Sequence, residues 1–191
     1  MKTRESGMPE EDRWKSFFDP ELILNELGLD RTCQMVVDLG SGYGTFCIPA
    51  AQRITGTVYA IDIDPQMIDA CRQRVAEAEL SNVILQQRDF VNDGTGLPDK
   101  SVDFVMLFNI LHAEDPMGLL AEAYRILVPG GWVGVIHWNY DPSTPRGPSL
   151  EIRPRPEQCQ DWIQGIGFKL ISPLIQLPPY HYGMVGQKEQ D

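Results

Sequence analysis

The residues best suited to chemistry form the run Asp38-Leu39-Gly40-Ser41-Gly42-Tyr43-Gly44, in which glycine takes alternate positions after an acidic residue. An apolar stretch precedes this run, and a helical pattern begins at Thr45. Glycine lets the backbone turn sharply and lets a ligand approach without interference from a Cβ atom. The run predicts a ligand-binding turn between a strand and a helix, and a tight turn without a ligand is the alternative.

A second acidic residue, Asp62, stands near the end of an apolar run, 20 residues after Gly42. A carboxylate only accepts hydrogen bonds, and a ribose diol offers two donors side by side, so one carboxylate can hold both hydroxyls. Asp64 precedes Pro65 and has the position of a helix N-cap. We therefore expect Asp62 to bind a ribose, with a structural acid at a strand end as the alternative.

Two other glycine-rich motifs compete with this interpretation. The dinucleotide-binding motif Gly-x-Gly-x-x-Gly or Ala needs a small residue where this chain has Thr45, which disfavours a nicotinamide oxidoreductase without excluding it. A P-loop needs Lys followed by Ser or Thr, and no such pair follows the glycines. A P-loop is therefore excluded.

The elements that must position these residues are short apolar runs that alternate with helical patterns, which is typical of a parallel sheet covered on both faces. The predicted strands are 35–39, 58–63, 83–85, 102–108 and 132–136, and the predicted helices between them are 45–54, 65–80 and 116–127. Ligands of such sheets bind beyond the carboxyl ends of the strands. The glycine turn and Asp62 are both predicted at that edge.

The two ends of the chain show different patterns. Residues 1–12 are polar and predict a mobile tail, and Pro20 opens a leader helix that stops at Gly28. Pro156 opens a last short helix, and the apolar runs 168–177 and 180–186 predict two further strands. The two prolines between these runs are too few for a crossover, so we expect antiparallel neighbours that form an antiparallel edge on the sheet.

The glycine turn and Asp62 together resemble the class I S-adenosylmethionine-dependent methyltransferases, in particular the small single-domain group related to quinone-biosynthesis C-methyltransferases. Two further runs share the resemblance, Gln87-Arg88-Asp89-Phe90 and Leu127-Val128-Pro129-Gly130-Gly131. The resemblance covers about residues 34–137. It implies an α/β, three-layer Rossmann-like fold with a seven-stranded, mostly parallel sheet whose last strand is antiparallel. It also implies S-adenosylmethionine as the cofactor and S-adenosylhomocysteine as its product.

The resemblance also implies which residues hold the cofactor. Those assigned to the methionine part, with Asp38 supporting the turn, are Asp38, Gly40, Ser41, Gly42, Gly44 and Asn109. Those assigned to the ribose and the adenine are Asp62, Ile63, Met67, Asp89 and Phe90. We expect one domain over residues 1–191, with the tail at 1–12, a lid and leader helix at 13–33, a cofactor-binding core at 34–137 and a substrate-side segment at 138–191.

Methyl transfer by in-line displacement needs no catalytic triad and no metal, because the cofactor supplies the electrophile and the protein positions the acceptor. A base helps where the acceptor carries a proton, and His112 and His137 are the candidates, each following a predicted strand. Both can instead be structural, and His181 is expected to pack within the terminal strands. Since no side chain is unambiguously catalytic, a non-catalytic cofactor-binding module remains the alternative.

The acceptor is expected to be a small molecule held by aromatic and basic residues. The proline-rich segment after residue 137 supplies candidates for the acceptor pocket, with arginines that can attract an anionic group, namely Trp138, Tyr140, Arg146, Arg153 and Arg155. A surface loop stiffened by proline is the alternative. Near the N-terminus Trp14, Phe17 and Phe18 can form a lid. The slot after the fourth predicted strand reads Asn109-Ile110-Leu111-His112, which differs from the motif of enzymes that methylate amino groups of adenine or glutamine.

Composition limits the partners further. The chain has 16 basic and 27 acidic residues and a net charge of −11, which disfavours nucleic acid. No apolar stretch is long enough to span a membrane and no secretory signal is visible, so we expect a soluble cytoplasmic protein. The four cysteines lack metal-binding spacing and predict reduced, buried side chains. The oligomeric state is not indicated.

Overall fold

The computed structural model describes residues 9–190 of the chain. Its centre is a seven-stranded sheet with the order β3-β2-β1-β4-β5-β7-β6. The strands are β1 Met35–Leu39, β2 Thr57–Asp62, β3 Val83–Gln87, β4 Val102–Phe108, β5 Leu127–Trp138, β6 Phe168–Leu177 and β7 His181–Lys188. The pairs among β1 to β5 are parallel, whereas β7 is antiparallel to both of its neighbours. The predicted fold class is confirmed.

Helices cover the sheet and begin where the sequence provides caps. They are α1 Glu11–Lys15, α2 Pro20–Glu26, α3 Cys47–Arg53, α4 Pro65–Glu77, α5 Phe90–Asp93, α6 Pro116–Ile126 and α7 Pro156–Ile166. Asp19, Asp64 and Asp115 each accept a backbone N–H of the helix that follows. Proline at the first helical position costs nothing, because its missing N–H would be unpaired there. The helix starts predicted at Pro20, Pro65 and Pro156 are confirmed.

Two apolar clusters fill the two interfaces between the sheet and the helices. Along β4 the side chains alternate, so Phe104 and Met106 join the cluster under α2 and α3, whereas Val105 and Leu107 join the cluster under α6 and α7. Both faces of the central strands are therefore buried. This burial explains why the strands appear in the sequence as continuous apolar runs.

The two terminal strands pair as predicted. β6 and β7 are antiparallel neighbours at one edge of the sheet, as expected. β7 lies between β5 and β6, and its ladder with β5 runs from the pair Trp132 and Gln187 to the pair Trp138 and His181. The predicted antiparallel edge is confirmed, with β6 outermost and β7 between β6 and the long strand β5.

The first helix, α1, begins before the predicted end of the N-terminal tail. Residues 11 and 12, expected in the mobile tail, belong to α1, while residues 1–8 of that tail lie outside the described part of the chain. An ion pair between Glu11 and Arg74 of α4 holds α1 to the body of the domain. In residues 9–190 none of the helices has the length and apolar character needed to cross a membrane.

Candidate functional site

The glycine turn follows β1 and leads into α3. Gly40, Gly42 and Gly44 have φ angles of +78°, +52° and +83°, which L-residues with a Cβ atom rarely adopt. The N–H groups of Gly40 and Ser41 donate to the carbonyl oxygen of Ile61 at 2.8 and 3.2 Å. These bonds join the turn to the end of β2, so the two acidic motifs of the sequence meet at one edge of the sheet.

Asp62 ends β2 beside this turn and is 5% exposed. Its Oδ2 accepts the N–H of Gly42 at 2.8 Å, and its Oδ1 accepts the N–H of Asp64 at 3.0 Å. Burial raises the pKa of the carboxyl above its usual value, against the effect of these two N–H groups. Each oxygen keeps a further lone pair, so the carboxylate is fixed in place and can still accept two hydroxyl donors.

Asp38 lies at the other side of the turn and is 2% exposed. Burial, together with the charge of Asp62, raises its pKa to about 7. Its Oδ2 atom has no hydrogen-bond partner among the described residues. A buried carboxyl oxygen without a partner is costly, and a donor or a cation placed beside it lowers that cost.

Three further buried side chains in the glycine turn, at its end and at the end of β4 carry polar atoms without a hydrogen-bond partner in the described part of the chain. They are the Ser41 and Thr45 hydroxyls and both amide atoms of Asn109. Asn109 follows β4 with a φ of +57°, a strained conformation for a residue with a side chain. Strained residues with unpaired groups are often found at ligand sites. Asn109 therefore combines a strained backbone with unpaired amide atoms, as expected of a ligand-binding residue.

The four side chains with unpaired polar atoms described above all line one cavity, namely Asp38, Ser41, Thr45 and Asn109. Its volume of about 460 Å³ is typical of small-molecule sites. The predicted cofactor residues on its wall are Asp38, Gly40, Ser41, Gly42, Asp62, Ile63, Asp89, Phe90 and Asn109. Thr45 also lines the cavity and was missed, although its place directly after the glycine turn is a usable signal. The structure thus brings residues from four separate strand ends to one cleft.

Two predicted cofactor residues, Gly44 and Met67, are not on the wall of this cavity. Met67 is buried within α4, with 7% of its surface exposed. At Gly44 an added Cβ would lie 2.8 Å from the Sγ atom of Cys71 and 2.9 Å from Cδ1 of Ile48. Gly44 therefore serves the close packing of α3 and α4 behind the turn.

The two candidate histidines form a pair. Nε2 of His137 lies 3.2 Å from Nδ1 of His112. His137 is fully buried, and this burial, reinforced by the nearby His112, holds its pKa well below the usual value, so its ring is neutral near pH 7. His112 lines the cavity, whereas His137 does not. His181 packs on Phe18 at 4.5 Å between ring centroids, in agreement with its expected structural role.

The residues predicted for the acceptor pocket, at the end of β5 and in the segment after it, divide between two cavities. Trp138 and Arg146 line the cavity described above, whereas Tyr140 and Arg155 line an adjoining cavity, where the Arg155 guanidinium lies 3.7 Å from the centroid of the Tyr140 ring. Arg153 is 7% exposed, and its guanidinium donates to the carbonyl oxygens of Asn139 at 2.8 Å and Pro148 at 2.7 Å. Arg153 therefore holds the loop, and because it also lines the adjoining cavity, its role in the acceptor pocket stays a prediction.

Of the three aromatic residues predicted to form a lid, one lines the cavity and two pack against other rings. Trp14 lines the cavity, while Phe17 is buried against Trp138 and Phe18 packs against Phe46. Phe46 and Phe108 also line the cavity and were not predicted. Their rings lie in apolar patterns that equally indicate core packing, so the sequence held no separate signal for them.

Comparison with known proteins places these features in context. Residues 36–131 match the family model described as methyltransferase domain. Aklanonic acid methyltransferase DauC from Streptomyces sp. (strain C5) is 36% identical over 103 residues, which are 52% of this chain and 46% of that protein. Demethylmenaquinone methyltransferase from Geobacillus sp. (strain WCH70) is 32% identical over 100 residues, which are 51% of this chain and 42% of that protein. The chain spans less than half the length of these two relatives.

Solved structures resemble nearly the whole chain. A SAM dependent methyltransferase from Aquifex aeolicus superposes with a TM-score of 0.82 at 25% identity, covering 93% of each chain. The [4+2]-cyclase SpnF superposes with a TM-score of 0.78 at 14% identity, over 98% of this chain and 85% of that one, which is a likeness of fold alone.

Proposed function

The chain belongs to the methyltransferase domain family, and we propose that it binds S-adenosylmethionine and transfers the methyl group to a small-molecule acceptor. The observation that carries this proposal is the set of buried, unpaired polar groups around the glycine turn, on Asp38, Ser41, Thr45 and Asn109. The amino-acid end of S-adenosylmethionine offers an ammonium and a carboxylate. The carboxyl of Asp38 suits the ammonium, and the hydroxyls and the amide suit the carboxylate.

The nucleoside end of the ligand would lie at Asp62. Its carboxylate is fixed by two backbone N–H groups and can accept both ribose hydroxyls. Ile63, Asp89 and Phe90 line the same cavity and offer an apolar surface, a carboxylate and a ring for the adenine. The fit is therefore good at both ends of the ligand.

Bound S-adenosylmethionine supplies a methyl group on a sulfonium, which needs no metal for transfer. The protein contributes by holding the acceptor in line with that methyl group and by keeping water out. His112 lines the cavity and can accept a proton from the acceptor. His137 is buried, neutral and hydrogen-bonded to His112, so in this scheme it positions the ring of His112.

Calorimetric titration of the purified protein with S-adenosylhomocysteine tests the proposal directly. We expect binding at micromolar concentration, and no heat of binding at millimolar ligand would reject it. Asn109→Gly provides a sharper test, because glycine accepts the φ of +57° without strain. We expect this variant to be at least as stable as the parent protein and to bind S-adenosylhomocysteine about tenfold more weakly, since one or two hydrogen bonds are lost.

Transfer of a labelled methyl group to an acceptor then distinguishes an enzyme from a non-catalytic binding module. If NADH raises the thermal unfolding temperature and S-adenosylhomocysteine does not, a nicotinamide oxidoreductase would instead be favoured.

A further inference from the structure

A cluster of aromatic rings lines the same cavity as the polar groups around the glycine turn. Its members on the cavity wall are Trp14, Phe46, Phe108 and Trp138. Phe46 and Phe108 meet edge to face at 4.8 Å between centroids, and Trp14 lies 6.4 Å from Trp138. Phe18 joins the two pairs, with its centroid 5.3 Å from that of Phe46 and 6.1 Å from that of Trp138. The rings thus form one packed cluster with four members on the cavity wall, which offers planar ligands both stacking and edge contacts.

The charges on this wall are unequal. Asp38, Asp62, Asp89 and Glu114 contribute carboxyl groups, whereas Arg146 is the only Lys or Arg among the described residues that line the cavity. The backbone of Arg146 is anchored, because its carbonyl oxygen accepts a bond from Arg153 at 3.3 Å. A guanidinium and aromatic rings on the wall of one cavity favour a ligand that combines a flat ring with an oxygen acceptor or anion.

His112 stands where this cavity adjoins a second one of about 840 Å³. His112, Ala113, Glu114 and Ile152 line both cavities. Ile152 is 47% exposed, which is unusual for a large apolar side chain between two cavities. The two cavities therefore meet at these shared residues, His112 among them.

We propose that the acceptor is a planar aromatic molecule with an ionisable hydroxyl group, which enters through the second cavity, packs on the aromatic cluster and presents its hydroxyl to His112 and Arg146. This inference rests on the proposed methyltransferase function. It adds the chemical class of the acceptor and the route by which it arrives.

The proton has a defined path. His137 is neutral, and when its Nε2 accepts from Nδ1–H of His112, the Nε2 atom of His112 carries a lone pair. The acceptor hydroxyl gives its proton to that nitrogen, and the oxygen lone pair forms the bond to the methyl carbon. The methyl–sulfur bond breaks with its electron pair left on sulfur. The products are an aryl methyl ether, S-adenosylhomocysteine and protonated His112, which still donates to His137.

Binding to the protein saturated with S-adenosylhomocysteine tests the inference with three probes. They are 1-naphthol, its methyl ether 1-methoxynaphthalene and the saturated analogue decahydro-1-naphthol. We expect 1-naphthol to bind at least about tenfold more tightly than either of the others, because only 1-naphthol has both the flat ring and the proton. Equal affinities, or no binding of 1-naphthol at millimolar concentration, would overturn the inference.

Variants separate the contributions. His112→Asn should remove the preference for 1-naphthol over its methyl ether, and Arg146→Met should weaken 1-naphthol binding about fivefold or more. Arg72→Met, on an exposed face of α4, is the matched control for Arg146→Met and should have no effect. A preference unchanged in His112→Asn would contradict the role of His112. S-adenosylhomocysteine affinity is measured in every variant, so loss of the cofactor site is distinguished from loss of the acceptor site.

Discussion

The backbone N–H of Gly42 donates to Oδ2 of Asp62 across 2.8 Å, although the two residues stand 20 positions apart in the chain. This bond joins the turn after β1 to the end of the neighbouring strand β2. The turn and the carboxylate therefore set each other's position before any ligand arrives. Preorganisation of this kind reduces the ordering cost of binding.

Replacing Asp62 with Asn should weaken S-adenosylhomocysteine binding about 10- to 100-fold. The amide has one acceptor atom in place of two, so it cannot accept from both Gly42 and Asp64, and it gives a ribose a weaker acceptor than a carboxylate. Isothermal titration calorimetry measures the change. Asp69→Asn is the matched control, since Asp69 is an exposed residue of α4 that pairs with Arg72. Equal affinities for Asp62→Asn and Asp69→Asn would remove Asp62 from the site.

Alanine substitutions at two glycines should have different costs. Gly44 and Gly28 have similar φ angles of +83° and +77°, so alanine is strained by about 1 to 2 kcal/mol at either position. At Gly44 the new Cβ would also lie 2.8 Å from Sγ of Cys71, whereas at Gly28 nothing lies within 4 Å. We expect Gly44→Ala to lose about 1 to 3 kcal/mol more free energy of unfolding than Gly28→Ala.

Urea unfolding followed by tryptophan fluorescence measures this difference. Gly44→Ala should also bind S-adenosylhomocysteine more weakly, because the turn is displaced. Similar losses of stability in the two variants would mean that Cys71 gives way and that the packing behind the turn is loose.

The sequence was sufficient for the parts of the fold that depend on local patterns. Continuous apolar runs such as Val102–Phe108 predicted strands because both faces of the sheet are buried. The place of β7 depends instead on which strand has a free side, which no short run encodes. The same holds for Met67, whose burial in α4 depends on tertiary packing. The type of Arg153 indicated charge, but its hydrogen bonds to carbonyl oxygens of its own loop depend on how that loop folds.

Arg153→Met should loosen that loop. The substitution keeps much of the apolar stem and removes donors that bind the carbonyl oxygens of Asn139, Asp141, Arg146 and Pro148 and the hydroxyl of Thr144. We expect a loss of about 1 to 3 kcal/mol in the free energy of unfolding and faster cleavage of residues 139–152 by thermolysin. Arg155→Met, which removes an exposed guanidinium over Tyr140, should cost less than about 1 kcal/mol. A loop equally resistant to cleavage in both variants would contradict the role of Arg153.

Asp38 should make the protein less stable as the pH rises. Its pKa in the folded state is raised to about 7 by burial and by the charge of Asp62, whereas its usual value is 3.8. Below about pH 4 the carboxyl is protonated in both states and folding has no penalty. Between about pH 4 and pH 7 the unfolded chain loses this proton while the folded protein keeps it. Folding stability therefore falls in that window, by up to about 4 kcal/mol from this group alone.

Asp38→Asn removes the titration and keeps the shape of the side chain. The free energy of unfolding of both proteins is measured from pH 4 to pH 8, and the parent value minus the variant value is followed. His137, whose lowered pKa acts in the opposite direction, and Asp62 cancel in this difference as long as their surroundings are unchanged. The difference should fall steadily through the window and level off above about pH 7. A difference that stays flat would mean that Asp38 titrates in the folded protein as it does in the unfolded chain, which would contradict the raised pKa of this carboxyl.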